Sequence, residues 1–216
     1  MSPALPSTTV VEDYVKTIYS FSEWTDTPAT PSALAASTVT EMVKKLAASG
    51  LVDHVPYGAI TLTADGRALA LRMVRRHRLI ETWLAHSFGY RWDEVHDEAE
   101  VLEHAVSDRM LDAIFEQLGR PTRDPHGDPI PSADGRVEIP PAVLLADAPD
   151  GHAGRVVRIR DRDANLLRYL TAEGFAVDAR VTVVGRKPFG GALAITLEGA
   201  ELDVGDEAAR EIWLSA

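Results

Sequence analysis

Apolar residues recur every three or four positions through the first half of the chain, which predicts helices. A first helix is expected from about Thr9 to Trp24, and a short Ala-rich stretch follows from Pro31 to Ala36. A second periodic segment begins near Ser37 and stops at Ser49-Gly50. Its apolar stripe consists of Val39, Met42, Val43 and Leu46.

Two short runs of β type come next, Leu51 to Val55 and Ala59 to Thr63, and Pro56-Tyr57-Gly58 between them is predicted to be a hairpin tip. Helices followed by a hairpin are the order of a winged helix. A helix-turn-helix needs a first helix of about two turns, so the Pro31–Ala36 stretch is roughly half a dozen residues too short. Either the chain has a real deletion, or those residues are missing from the sequence despite continuous numbering. We favour the second, because a deletion would remove part of a small core.

The rest of the chain divides into a helical and a β-rich part. Thr63 is expected to cap a long helix from Ala64 to about His86, and a further helix is predicted from Asp93 to about Leu118, where Gly119 ends it. From Arg120 to Gly154 the composition shifts to Pro, Gly and Asp, which indicates a linker or an extended surface segment.

Beyond that segment, a strand around Val156, a helix from Asp163 to Glu173 and several short strands between Arg180 and Ile212 are typical of a small SH3-like barrel. The predicted fold class is mainly α with small β parts. We expect a winged-helix DNA-binding domain at 1–74, a helical metal-binding and dimerisation domain at 75–122, a Pro-rich linker at 123–153 and an SH3-like domain at 154–216.

Charge is distributed unevenly. The 216 residues include 33 acidic and 22 basic ones, for a net charge of −11, and a uniformly acidic surface would repel nucleic-acid phosphates. Residues 1–78, however, contain 8 basic and 7 acidic residues, residues 79–150 contain 5 and 16, and residues 151–216 contain 9 and 10. The whole excess lies in the middle third, so the N-terminal third remains compatible with DNA.

Composition excludes several classes of protein. There is no cysteine, which rules out disulfide scaffolds, thiolate zinc sites and cysteine nucleophiles. No apolar run approaches the ~18 residues needed to cross a bilayer, and the first residues lack the charged and apolar regions of a signal peptide. With 45% hydrophobic and 25% charged residues, we expect folded domains in a cytoplasmic protein.

The acidic helix carries candidate metal ligands beside an apolar stripe at Val95, Ala99, Leu102 and Val106. His96, Glu100, Glu103 and His104 fall at i, i+4, i+7 and i+8 on the neighbouring face. The preceding helix adds His77 and Glu81, one turn apart. Imidazoles and carboxylates at the edge of a core repel one another or lose hydration unless a cation joins them. The pattern therefore indicates either a divalent-metal site or a solvated acidic face.

Six motifs, in order between residues 9 and 131, resemble the diphtheria toxin repressor family, which includes iron-dependent regulators and manganese transport regulators. They are Glu12-Asp13-Tyr14-Val15, the Thr38–Leu46 segment, Leu62-Thr63-Ala64-Asp65-Gly66, Arg76-His77-Arg78-Leu79-Ile80-Glu81, the His/Glu-rich Val95–Asp108 segment, and Pro125-His126-Gly127-Asp128-Pro129-Ile130-Pro131. The resemblance implies a winged-helix domain, a helical dimerisation and metal-binding domain, and a homodimer that binds palindromic operator DNA when Mn(II) or Fe(II) is present. The C-terminal third resembles the family's SH3-like domain more loosely.

Carried over by position, the family's primary metal site falls on Asp13, Glu100, Glu103 and His104. Its ancillary site falls on His77, Glu81 and His96. In the iron-dependent branch a methionine and a cysteine stand in place of Asp13 and Glu100. Hard carboxylates suit Mn(II) or Fe(II), with manganese as the first expectation, although Zn(II) or Cu(II) also binds such donors tightly in vitro.

Two further positions qualify the ligand set. Lys16 stands where the shorter manganese regulators have a glutamate ligand, which argues against their two-metal cluster. Asp161 and Asp163 are candidate substitutes for the ligands that the iron-dependent branch takes from its C-terminal domain, although an exposed pair in a strand-to-helix turn is the simpler interpretation. Asp13, judged by periodicity alone, points away from its own core toward solvent or another domain.

The predicted recognition helix supplies the candidate DNA contacts. Ser37, Thr38 and Thr40 are expected to reach phosphates or base edges, while Lys44 and Lys45 supply positive charge. Tyr57 at the hairpin tip is the candidate backbone contact. An ordinary solvated helix face is the alternative for the lysines. The arginines of the long helix either contribute to DNA binding or, as for Arg76 and Arg78, balance acidic neighbours.

The expected function is a metal-dependent transcriptional regulator of metal homeostasis genes, not an enzyme. One alternative is a metal-dependent hydrolase, since His/Glu clusters that bind Mn(II) or Zn(II) also activate water. That reaction needs an open coordination position, a substrate pocket and a separate acid or base, and no sequence motif for these is visible. The other alternative is a metal-binding protein without DNA binding, which the short helix-turn-helix favours.

Overall fold

The computed structural model describes residues 8–24, 29–31, 34, 39–54, 58–188 and 191–216. These residues form two compact units. The first unit comprises Met1–His77 with Pro131–Arg136, and the second comprises Arg78–Ile130 with Val137–Ala216. Ser37, Thr38 and Tyr57, and most of the stretch 31–36, lie outside the described residues.

The first unit contains helix α1 (Thr8–Ser22), helix α2 (Val39–Ala48), a hairpin of β1 (Val52–His54) and β2 (Ile60–Leu62), and the start of helix α3 (Ala64–Phe88). The hairpin strands are antiparallel. Of the predicted α2 stripe, Val43 and Leu46 are buried and Met42 is half-buried. Buried residues of α1, α2, the hairpin and α3 form the core: Val15, Ile18, Val43, Leu46, Val52, Ile60, Leu71 and Val74.

Helix α3 begins where the sequence predicts. The Thr63 hydroxyl oxygen accepts a hydrogen bond from the Gly66 amide at 3.1 Å, which satisfies one of the free N–H groups of the first turn. A Cβ on Gly66 would lie 1.9 Å from the Leu51 carbonyl oxygen, so only glycine allows this close approach of helix and hairpin.

The second unit contains the rest of α3, helices α4 (Val95–Leu102) and α5 (Asp108–Gln117), and the C-terminal β domain. A core that contains Leu79, Ile80 and Leu84 joins the three helices. The single helix predicted from Asp93 to Leu118 is therefore wrong, because the chain breaks between α4 and α5. At this break the Ser107 side chain accepts the Met110 amide at 3.3 Å, which starts a new helix.

The β domain is a six-stranded antiparallel sheet in the order β3-β8-β4-β5-β6-β7. Its strands are β3 (Ala142–Leu144), β4 (Ala153–Ile159), β5 (Arg180–Arg186), β6 (Leu193–Leu197), β7 (Ala200–Val204) and β8 (Ile212–Ser215). A 3₁₀ turn (Leu145–Asp147) and helices α6 (Ala164–Ala172) and α7 (Asp206–Ala209) complete the domain. Alternate strand residues such as Val156, Val181 and Ile195 form its core.

The segment predicted as a linker or extended surface is mostly buried at its start. From Asp124 to Pro131, all residues but Pro125 are buried. The His126 carbonyl accepts the amide of Ile159 at 2.9 Å, so the segment lies against strand β4. Polar side chains are consequently buried in a stretch whose composition predicts solvent exposure.

Candidate metal centre

Glu81 is a fully buried carboxylate in the second unit. It lies on α3 next to Leu79 and Ile80, which are also fully buried. The helical period rotates the Glu81 side chain only partly away from the side chains of its apolar neighbours. Its carboxylate charge therefore lies inside the second unit and not in solvent. A buried carboxylate is costly unless positive charge or hydrogen-bond donors surround it.

His96 on α4 faces three carboxylates. Its Nδ1 lies 3.6 Å from Glu81 Oε1 and 3.4 Å from Asp161 Oδ2, and its Nε2 lies 3.8 Å from Glu100 Oε1. Hydrogen bonds with Asp161 and Glu81 raise the pKa of His96 to about 10. Without metal, an imidazolium proton therefore supplies the positive charge between these carboxylates.

Asp161 and Asp163 have different roles, although the sequence treats them as a pair. Asp161 belongs with Glu81 and His96 to a group of side chains whose ligand atoms lie within 4.8 Å of one another. Asp163 caps α6 by accepting the amides of Asn165 and Leu166. Only Asp161 is therefore positioned to hold a cation.

A second cluster shares Glu81 and involves residues that sequence reasoning did not name as ligands. His126 Nδ1 lies 3.9 Å from Glu81 Oε2 and 4.0 Å from Asp124 Oδ1, and all three side chains are buried. Asp124 Oδ1 also accepts the amides of His126 and Asp128, at 2.8 and 3.0 Å. In the sequence, only the motif that begins at Pro125 draws attention to these residues. A histidine between proline and glycine is most simply interpreted as part of a turn.

Electrostatics in this cluster favour a cation. Burial, followed by the Asp128 carboxylate, raises the pKa of Asp124 to about 8. Burial disfavours the charged form of His126, but the carboxylates of Glu81 and Asp124 outweigh it and raise the pKa of His126. His126 Nε2 donates a hydrogen bond to the Trp92 carbonyl oxygen at 2.7 Å, so in the neutral form of the ring, the form that binds a metal, the lone pair is on Nδ1. Among the described residues that buried Nδ1 has no hydrogen-bond partner.

Glu103 and His104 lie at the break after α4 and not on a continuous helix. The Glu103 amide still donates to the Ala99 carbonyl at 2.9 Å, but the helix ends there. Glu103 is fully buried, and its Oε1 lies 3.4 Å from His104 Nε2. The break in the helix thus brings the Glu103 carboxylate close to the His104 imidazole.

The remaining predicted ligands, Asp13 and His77, lie in the first unit, as does Lys16, which is not a predicted ligand. Asp13 on α1 is half-buried, Lys16 one turn later is 8% exposed, and His77 on α3 is buried and precedes Glu81 by one turn. Of the predicted DNA contacts, Thr40 and Lys44 are exposed on α2 and Lys45 is half-buried. Lys44 forms an ion pair with Glu41 at 2.9 Å.

The donors suit a hard divalent metal. They are carboxylate oxygens and imidazole nitrogens, with no sulfur, and such sets favour Mn(II) or Fe(II) over ions that prefer thiolates. His126 Nδ1, which lacks a hydrogen-bond partner among the described residues, is the ring atom that a cation could take as a ligand. Among the described residues no helix is both long and apolar enough to cross a membrane.

Comparison with known proteins agrees with this chemistry. Residues 7–60 match the model of the N-terminal DNA-binding domain of iron-dependent repressors, and residues 63–132 match that of their metal-binding and dimerisation domain. Residues 143–216 match the FeoA domain. The iron-dependent repressor IdeR of Mycobacterium leprae is 32% identical over 80% of this chain and 82% of its own. The diphtheria toxin repressor of Corynebacterium efficiens is 30% identical over 93% of both chains.

The chain belongs to the diphtheria toxin repressor family. Its members are metal-dependent transcriptional repressors, not enzymes, which decides against the hydrolase alternative. A solved manganese-dependent transcriptional repressor in complex with manganese shares 50% identity, with a TM-score of 0.90 over 95% of this chain and 99% of the other. The manganese regulator SloR shares 32% identity, with a TM-score of 0.81 over 95% and 97%.

Proposed function

We propose that this family member is a manganese-responsive repressor that binds palindromic operator DNA as a metal-loaded homodimer, with Fe(II) as the second candidate metal. The observation that carries the proposal is the fully buried Glu103 carboxylate beside His104, in a chain with matched DNA-binding and dimerisation domains. A buried carboxylate next to an imidazole is stable when a cation is bound.

The proposed primary ligands are Asp13, Glu100, Glu103 and His104. The proposed ancillary ligands are His77, Glu81 and His96, to which we add Asp161 because of its 3.4 Å approach to His96. The Glu81–Asp124–His126 cluster offers alternative donors around the same Glu81. When bound, a divalent cation supplies the positive charge that these carboxylates share.

Two observations support manganese. The ligand set replaces sulfur with carboxylate, and the solved relative at 50% identity holds manganese. Relatives named as iron-dependent are about as similar as SloR, at 32% identity, so they do not decide between the metals. The proposal therefore rests on ligand chemistry first.

Metal dependence would follow from how the ligands are divided along the chain. Asp13 belongs to the segment matched by the DNA-binding model, while Glu100, Glu103 and His104 belong to the segment matched by the metal-binding model. Shared coordination would restrict the orientation of one segment against the other, whereas unneutralised carboxylates repel. A tenfold gain in operator affinity needs only about 1.4 kcal/mol of such coupling.

For DNA contacts we propose Ser37, Thr38, Thr40, Lys44 and Lys45 of the recognition region, with Tyr57 at the hairpin tip. The ion pair of Lys44 with Glu41 is fully solvated, so it contributes little and a phosphate can replace Glu41 as the partner.

For the homodimer we propose that large apolar side chains of the matched dimerisation segment are covered by the second copy. Val101 on α4 is 69% exposed and Met110 on α5 is 43% exposed. Exposed apolar residues on neighbouring elements are typical of subunit interfaces.

The test is an electrophoretic mobility-shift titration of palindromic operator DNA with and without Mn(II). We expect Mn(II) to tighten binding at least about tenfold in the wild-type protein, a gain of about 1.4 kcal/mol. Glu103→Gln, which keeps the side-chain shape and removes the charge, should lose the response.

Glu116→Gln is the matched control, because Glu116 is an exposed carboxylate paired with Arg120 on the surface. It should respond like the wild type. If Mn(II) does not tighten operator binding of the wild type, the proposed function is wrong. A normal response of Glu103→Gln would remove only Glu103 from the ligand set.

A further inference from the structure

Asp128 is a buried carboxylate that joins two arginines from different elements. Its Oδ1 accepts a hydrogen bond from Arg158 Nε at 2.7 Å and another from Arg78 Nη2 at 3.3 Å. The three side chains are 3%, 7% and 8% exposed. All three residues belong to the second unit.

Both arginines are also held from other sides. Arg78 Nη1 donates to the Pro129 carbonyl at 2.7 Å, and Arg78 Nε lies 3.6 Å from Asp124 Oδ2. Arg158 stacks its guanidinium over the Trp213 ring at 4.5 Å. Because guanidinium groups are planar and have several donors in fixed directions, this arrangement determines where the carboxylate lies.

The three members of this triad come from three of the four segments that carry the candidate ligands around Glu81; the fourth, α4, carries His96. Arg78 precedes Glu81 by three residues on α3. Asp128 follows His126 by two residues, and Arg158 precedes Asp161 by three at the end of β4. Fixing the triad therefore fixes the three backbones from which Glu81, His126 and Asp161 project.

We propose that Asp128 is a positioning residue for the ancillary metal centre, which it orders by holding α3, the 124–131 segment and β4 together through Arg78 and Arg158. The inference rests on the proposed function, because it presumes that Glu81 is a metal ligand. Buried ion pairs often contribute little net stability, so the triad is better explained by the geometry it imposes. Outer residues that orient ligands commonly change metal affinity by about 10- to 100-fold when they are replaced.

The experiment is a calorimetric titration of Mn(II) into the metal-stripped, full-length dimer, which separates a primary and an ancillary class of ions. Asp128→Asn keeps the shape of the side chain and removes its charge. We expect affinity in the ancillary class to fall about 10- to 100-fold and affinity in the primary class to stay unchanged.

Asp178→Asn is the matched control. Asp178 also pairs with an arginine, Arg123, at 3.0 Å, but on the surface, and asparagine tolerates its positive φ of 69°. Its metal affinities should equal those of the wild type. An Asp128→Asn protein with lower thermal stability but unchanged Mn(II) affinities would show a purely structural role and overturn the proposal.

Two more variants keep the result interpretable. Should Asp128→Asn not fold, Arg158→Lys, which keeps the charge but loses the planar contact, is measured instead, and unchanged ancillary affinity again overturns the proposal. Glu81→Gln tests the centre itself. If it abolishes the ancillary class while Asp128→Asn does not weaken it, only the positioning role fails. If it leaves the ancillary class intact, the ancillary ligand set of the proposed function fails, and the positioning role with it.

Discussion

Glu81 shows how much a single residue depends on its surroundings. The sequence identifies it as a candidate ligand because it lies one turn after His77. Its neighbours in space include His96, Asp161 and His126, which come from three other segments. Spacing along one helix therefore finds the residue, whereas the composition of the cluster depends on distant chain segments.

Gly127 lies between the buried residues His126 and Asp128. The hydrophobic periodicity of the chain does not indicate that a glycine is needed there. Its φ is +92°, and a Cβ added there would lie 2.0 Å from the Val157 carbonyl oxygen. Both the backbone conformation and the close approach to β4 require glycine.

Gly127→Ala should therefore lower the free energy of unfolding by at least about 3 kcal/mol. The measurement is chemical unfolding followed by circular dichroism. Gly151→Ala separates the two causes, since Gly151 has a φ of +81° but open space around its Cβ position. That control should cost only about 1 kcal/mol. Equal effects of the two substitutions would show that the close approach to Val157 is unimportant.

At the scale of elements, the break between α4 and α5 is the main difference from the periodic pattern. The apolar stripe runs through Val95, Ala99 and Val106 without interruption, so it predicts one helix. Ser107 begins a second helix by bonding the Met110 amide. The pattern misses the break because α4 and α5 bury their apolar residues in one core, to which α5 contributes Leu111 and Ile114.

The segment before α4 is bound to α6 of the β domain. The Trp92 indole donates to the Thr171 hydroxyl at 2.7 Å, and Arg168 donates to Asp93 at 3.3 Å. Burial opposes ionisation of Asp93, but hydrogen bonds from Arg91 and Arg168 outweigh it and lower its pKa.

A depressed native pKa means that the Asp93 carboxylate stabilises the fold above its ordinary pKa of 3.8, and that this contribution is lost as the pH falls through the lower native value. Asp93→Asn should therefore destabilise the protein by about 1 kcal/mol at pH 7, and the difference from the wild type should shrink below about pH 3. Urea unfolding at both pH values measures this. A difference that stays constant with pH would contradict the role of the charge.

At the scale of the whole molecule, acidity and metal binding are connected. The excess of 11 negative charges lies between residues 79 and 150, where Glu81, Glu100 and Glu103 are found. Net charge alone argues against DNA, but the part of the chain that matches the DNA-binding model is nearly neutral. We therefore interpret the acidity as a property of the proposed metal centres.

Metal loading should stabilise the folded protein, because the buried carboxylates converge only in the native state. Mn(II) at about 100 times its Kd contributes about 2.7 kcal/mol, which corresponds to a rise in Tm of about 5–10 °C for a chain of this size. Differential scanning calorimetry with Mn(II) and with EDTA measures the shift. Mg(II) at the same concentration is the control and should have little effect, since it prefers oxygen ligands and retains its water. Equal Tm values with Mn(II) and EDTA would contradict buried metal sites.

The sequence by itself determined the order and type of most elements, the family, and the ligand candidates on helices. Local rules suffice for these features, since periodicity, caps and motif spacing act over a few residues: α3 starts after Thr63, and α6 ends before Gly174. Only the tertiary structure decided that Asp161 approaches His96 while Asp163 caps a helix. It also decided that the segment around His126 is buried and that Asp128 joins Arg78 to Arg158. The physical reason is that burial and charge pairing depend on which distant segments of the chain come into contact. No local sequence pattern specifies those contacts.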